Sequence, residues 1–144
     1  MCSPVAIGTL TTVPIATGEH IYNRWEAHQY LKRGAVQILQ TDPEWCGGVS
    51  ELVKICNLAS TYGAKVIPHG HNIHAALHVV ASQSPSVCPM VEYLIAYVPE
   101  KMHFQKRPLL TDNGRFDLPT APGFGIELDT TKIEKMDVLP AAST

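Results

Sequence analysis

Residues 64–83 read AKVIPHGHNIHAALHVVASQ, and their interpretation decides the fold. Ala64–Ile67 is a short, apolar, branched run that ends at Pro68, His69 and Gly70. From Asn72 the apolar residues Ile73, Ala76, Leu77 and Val80 recur at helical spacing. A continuous apolar run closed by a polar turn is the mark of a strand buried on both faces, and the change of period marks a helix after it. The pattern recurs. Apolar runs at 13–20 (VPIATGEH), 35–42 (AVQILQTD) and 89–95 (PMVEYLI) resemble the run at 64–70. Helix-like segments lie between them at 23–34 and 48–63. The first closes on basic residues and Gly34; the second opens with Ser50 as a candidate N-cap, lines up Leu52, Ile55, Cys56 and Ala59, and stops at Gly63. The order strand, helix, strand, helix, strand, helix, strand predicts an α/β chain with a parallel sheet and right-handed crossovers.

Composition narrows the function classes. The chain has 144 residues, a net charge of −2, 45% hydrophobic and 17% charged residues, which are values of a folded domain. Such a balance offers no electrostatic attraction for nucleic acid or an acidic membrane, and no apolar run reaches the roughly 20 residues of a membrane span. The four cysteines (Cys2, Cys46, Cys56, Cys88) form no C-x-x-C pair. We read them as reduced thiols of a cytoplasmic protein, with Cys56 and Cys88 as small buried hydrophobes. Trp25 and Trp45 are read as packing residues. After residue 96 the chain turns rich in Pro, Gly and turn signals such as Asn113-Gly114, predicting an extended tail with a short helix near 130–136.

An ionisable residue stands at the end of each predicted strand: Glu19, Asp42, His69 and Glu92. In (β/α) barrels the chemistry gathers at this rim. Neighbouring strands lie about 4.8 Å apart, so Asp42 and His69 are expected to share a hydrogen bond that holds the imidazole as a general base or acid. The rival reading of His69 is a rim histidine that caps the next helix, with His71 as the alternative base. Asp42 before Pro43 also suits a turn, and Glu92 suits an ordinary salt bridge. His74 and His78 are four apart on a helix but lack the glutamate of H-E-x-x-H, so they are read as packing or surface residues. A zinc hydrolase built on the H-G-H of residues 69–71 is a further, weaker reading.

Taken together, PIATGEH, ILQTDPEWCGGVSELVKI, VIPHG, VEYL and TAPGFGIELD resemble, in order and spacing, the C-terminal half of the mandelate racemase branch of the enolase superfamily. The sugar-acid dehydratases of the rhamnonate dehydratase type are the most similar group. The resemblance implies a partial (β/α) barrel, its last four βα units at residues 13–96. A truncated lead-in at 1–12 would precede it, and a tail at 97–144 would pack towards a capping domain. It implies a lyase that uses Mg²⁺ and removes a proton beside a carboxylate, forms an enediolate and expels water from a sugar acid. By motif, Glu19 would be a metal ligand, His69 the acid–base residue and Asp42 its partner. Glu92 would be the carboxylate of the eighth strand, and His20 and His71 would contact substrate. The family's other metal ligands and its capping domain have no counterpart in these motifs. The chain is therefore expected to be incomplete as a catalyst by itself and to work as a homo-oligomer or with a complementary N-terminal half. The alternatives are a non-catalytic half-barrel or assembly subunit, and a racemase or epimerase of the same superfamily.

Overall fold

Three short strands lie side by side and parallel in chain order in a computed structural model that describes residues 11–137: β1 (Ala16–Thr17), β2 (Ile38–Leu39) and β3 (Lys65–Val66). Ala16 stands opposite Ile38, and Ile38 opposite Lys65. Each strand is followed by a helix: α1 (Arg24–Lys32), α2 (Val49–Thr61) and α3 (Ile73–Ser82). The expected run of βα units is present. The assigned lead-in, apart from Thr11 and Thr12, and Cys2 fall outside the described residues.

The helices form for local reasons. Asn23 caps α1, its side chain accepting the Glu26 N–H at 2.9 Å, and Gly34 leaves the helix at φ +61°. Ser50 does not cap α2. The cap is Gly48, which contributes no side-chain bond, and Ser50 lies in the first turn. At that end the Glu51 carboxylate instead accepts the Arg24 N–H and guanidinium, both at 2.9 Å, and so ties α1 to α2. The predicted stripe of α2 is the buried one: Leu52, Ile55, Cys56 and Ala59 are each fully enclosed, against Leu39 and Val66 of the sheet. Burying four such side chains favours folding by about 1.5–3 kcal/mol for each large one.

The fourth predicted strand, 89–95, is not a strand. Val66 N–H donates to Val87 at 2.8 Å, and Glu92 N–H to Pro68 at 2.9 Å, so the chain does run alongside β3. In a parallel ladder the two bonds between these would come from the N–H groups of residues 89 and 68. Both are prolines, which have no N–H to give, and the ladder lapses.

Helix α3 also departs from its expected stripe. It buries Ile73, His74, Ala75, Ala76 and Val79, whereas Leu77 and Val80 are only partly covered. The helix is clasped on two sides, so apolar residues surround it. Val79 and Val80 face the main core, and Ile73 and Leu77 face a second cluster with Val98, Met102, Leu109 and Tyr93. That second cluster is made by the region read as extended tail, which contains an unforeseen short helix, α4 (Val98–Lys101). Asn113 (φ +48°) and Gly114 (φ +74°) form the expected turn, closed by paired 2.9 Å bonds between Asp112 and Arg115. The short helix expected near 130–136 is a single 3₁₀ turn, Thr130–Lys132, capped by Asp129. Trp25 is 63% exposed, with the Arg24 guanidinium 4.3 Å above its ring, and does not pack inside.

Burial holds His74 below the ordinary imidazole pKa. The folded state therefore binds fewer protons there than the unfolded state. Its stability should be unaffected at pH well above the unfolded value of about 6.5 and should fall as pH drops through it. Urea midpoints compared at about pH 7.5 and about pH 5.5 should show this loss, and His74→Gln should make it smaller.

Candidate functional site

The ends of β1, β2 and β3 converge. Beyond β1 the chain turns at Gly18 and presents Glu19 and His20. Beyond β2 come Gln40, Thr41 and Asp42, and beyond β3 come Pro68, His69, Gly70 and His71. His69 Nε2 lies 3.6 Å from Glu19 Oε2, and His71 Nε2 lies 3.9 Å from Glu19 Oε1. His20 Nε2 approaches the same carboxylate at 3.5 Å. The rings of His69 and His71 stack with centroids 4.9 Å apart and planes 27° from parallel. Gly70 makes that stack. Its φ of +87° turns residues 69 and 71 to the same side, and a Cβ there would stand 2.0 Å from the Glu92 carbonyl oxygen.

Asp42 is fully buried but does not meet His69 as expected. Its Oδ1 accepts the Glu44 N–H at 2.8 Å, the turn before Pro43 that was the rival reading. Its Oδ2 accepts the His71 N–H at 2.7 Å. The carboxylate is thus spent on two backbone donors and clamps the end of β2 to the loop after β3. Among the described residues, His69 Nδ1 is buried with no hydrogen-bond partner. Replacing Asp42 with alanine would leave both N–H groups unpaired, so it should destabilise the chain by about 2–4 kcal/mol. Asparagine, which keeps one acceptor, should cost about half that in urea unfolding.

Glu92 sits on the proline-interrupted segment beside β3, and its Oε2 accepts from Gln40 Nε2 at 3.1 Å. Gln40, Glu44, Lys101 and Trp45 belong to the site and were missed. Lys101 reaches from α4 to within 3.0 Å of His71 Nδ1 and 3.4 Å of Glu44 Oε2, and it donates to the His71 carbonyl at 3.2 Å. Trp45 places its ring edge-on between His20 and His71, at centroid distances of 5.4 and 6.4 Å. It is a wall of the site and not a core residue. The D-P-E-W order after β2 could have signalled a rim loop. Lys101 gave no signal, because only the docking of the tail brings it within reach. A cleft of about 340 Å³ opens beside these residues, with Glu44, His71, Lys101 and Met102 in its walls. His74 and His78 stay outside the chemistry. The thiol of Cys46, buried and next to Asp42 and Glu51, is pushed up to about 11 and is no nucleophile.

The comparisons with known proteins agree with this architecture. The profile of the enolase C-terminal domain-like family matches residues 3–132. The chain belongs to this family. The fold is accordingly of the (β/α) barrel type, with a parallel sheet and helices. L-rhamnonate dehydratase of Saccharopolyspora erythraea is 37% identical over 126 residues, 83% of this chain and 31% of that protein. Arabinonate dehydratase of Saccharolobus solfataricus is 37% identical over 117 residues, 78% of this chain and 31% of that protein. D-galactarolactone cycloisomerase of Agrobacterium fabrum is 36% identical over 127 residues, 81% of this chain and 34% of that protein. Among solved structures, a member of the enolase superfamily from Salmonella Typhimurium superimposes with a TM-score of 0.77 at 30% identity, covering 89% of this chain and 33% of that one. The chain spans about a third of the length of the relatives it matches. Among the described residues, no helix is long and apolar enough to cross a membrane.

The magnesium implied by the sequence resemblance can be tested against the donor set. Mg²⁺ takes about six oxygen ligands in octahedral array. The described residues bring together one carboxylate, Glu19, and two imidazoles, His69 and His71. Glu19 can supply one oxygen, but this set does not by itself fit Mg²⁺.

Proposed function

We propose that this chain carries the acid–base wall of a sugar-acid dehydratase, with residues 13–96 as the last four units of a barrel, the fourth entered by the strandless segment 89–95. The observation that carries the reading is His69. It stands at the end of β3 with its side chain only 16% exposed, Nε2 turned to the rim beside Glu19. Two relatives are named dehydratases of sugar acids, which supports the substrate class.

In this reading His69 Nε2 takes the proton from the carbon beside the substrate carboxylate. The electron pair left behind moves into an enediolate. The hydroxyl on the next carbon takes that proton back from His69 Nε2 and leaves as water, which frees His69, and the enol product ketonises to a 2-keto-3-deoxy acid. Glu92, held by Gln40, and His20 and His71 contact the polyol. Asp42 is a positioning residue that acts through the backbone of His71. The chemistry given to this chain is confined to proton transfer and substrate contact, because its own donors do not make a magnesium site.

The test is a panel of aldonates incubated with the chain in Mg²⁺, with 2-keto acid trapped as its semicarbazone and the solution mass measured in parallel. Keto acid formed from one of the aldonates supports the reading. An assembled chain that turns over none of them favours a non-catalytic role.

A further inference from the structure

The mismatch with magnesium has a positive side. We propose that Glu19, His69 and His71 form a three-ligand site for a borderline divalent transition metal such as Zn²⁺, and that Lys101 competes with that metal for His71.

The three side chains offer one donor atom each, all within 4.8 Å of one another. Tetrahedral zinc, with ligands at about 2.0–2.1 Å, holds its donors about 3.4 Å apart. The histidines approach different oxygens of the Glu19 carboxylate, His69 Nε2 at 3.6 Å from Oε2 and His71 Nε2 at 3.9 Å from Oε1, so the carboxylate must turn, and the donors draw in from within 4.8 Å, to reach that spacing. The Gly70 turn already brings the two imidazoles together, so a rotation of the rings out of their stack is what remains to point both nitrogens at one ion. Two nitrogens and one carboxylate leave positions for water, and imidazole donors suit zinc, nickel or cobalt far better than magnesium.

Lys101 sets the His71 tautomer. An ammonium group can only donate, so His71 Nδ1, 3.0 Å from Lys101 Nζ, accepts, and the ring proton sits on Nε2. Metal binding at Nε2 needs that proton on Nδ1. Glu44 Oε2 lies 3.8 Å from Nδ1 and can receive the N–H once the lysine withdraws. This is the usual carboxylate support of a metal-bound histidine. No proton is gained or lost; it changes nitrogen. Lys101 therefore opposes the metal through tautomer and charge, and Glu44 favours it. Where zinc binds, it occupies the His69 lone pair that the dehydratase reading uses, so the two roles exclude each other in one molecule. The binding itself does not rest on that reading.

The experiment uses the full 144-residue chain, untagged and stripped with chelator. It is titrated with Zn²⁺ by calorimetry and by competition with a chromogenic chelator, with no substrate present. One Zn²⁺ per chain is expected, undisturbed by about a hundredfold excess of Mg²⁺. Glu19→Gln and His71→Ala should each weaken binding by about tenfold or more, and Glu44→Gln by less. Lys101→Met should tighten it by about three- to tenfold. His103→Ala, at an exposed histidine outside the cluster, should change nothing. Circular dichroism checks each variant, and Glu19→Gln at a half-exposed side chain keeps the test open if His71→Ala unfolds. The proposal is overturned by zinc binding that Glu19→Gln leaves intact, by magnesium displacing zinc at equal concentration, or by Lys101→Met weakening the site. Absence of dehydratase activity bears on none of these outcomes.

Discussion

With His69 replaced by asparagine, formation of keto acid from the productive aldonate is expected to fall by about 10²–10⁴-fold in kcat, with KM little changed. Asparagine keeps much of the volume and a polar end but cannot take up a proton at neutral pH. The proposed role is given to His69 and not His71 on two grounds. Its side chain is less exposed than that of His71, 16% against 25%. His71 Nδ1 already faces Lys101, which leaves the ring proton on the nitrogen that would have to act as base. His71→Asn is therefore expected to raise KM more than it lowers kcat. Steady-state kinetics on both variants decides between the two histidines. A larger kcat loss for His71→Asn would move the base two residues along, from His69 to His71.

The second large effect concerns stability. Gly70→Ala should destabilise the chain by about 3–5 kcal/mol, enough to unfold a marginal domain at ordinary temperature. Two costs add. The φ of +87° is a region that side chains rarely adopt, worth about 1–2 kcal/mol. The new methyl would also lie 2.0 Å from the Glu92 carbonyl oxygen, so the backbone itself would have to move. That carbonyl belongs to the segment whose Glu92 N–H bonds Pro68, so the displacement would reach both His69 and Glu92. Urea unfolding of Gly70→Ala against Gly34→Ala, where nothing lies within 4 Å of the added carbon and φ is +61°, separates the clash from the conformational cost.

The alternation of elements was legible because it is local. Apolar runs without period, helical spacing after each of them and Gly or Asn at the boundaries identified β1 to β3 and α1 to α3, and the buried face of α2 residue by residue. The failures also have local causes that could have been weighed. Pro68 and Pro89 are visible in the sequence, and their missing donors are why 89–95 runs beside β3 without becoming a strand. Trp45 follows a strand-end acid and a proline, a position that belongs to a rim loop more than to a core.

The sequence by itself determined that Glu19, Asp42 and His69 would stand at one edge, since each follows an apolar run about one βα unit after the last; Glu92, inside its run, reached that edge on a segment that is not a strand. Side-chain partnerships at that edge were decided only by the tertiary structure. Asp42 turned to the backbone of His71 and Glu44, Gln40 found Glu92, and Lys101 arrived from the docked tail to meet His71 Nδ1. Hydrogen bonds of this kind join residues 29, 52 and 30 positions apart. Their formation depends on distances of a few tenths of an ångström and on the direction of each donor, and no pattern of residue types along the chain encodes either.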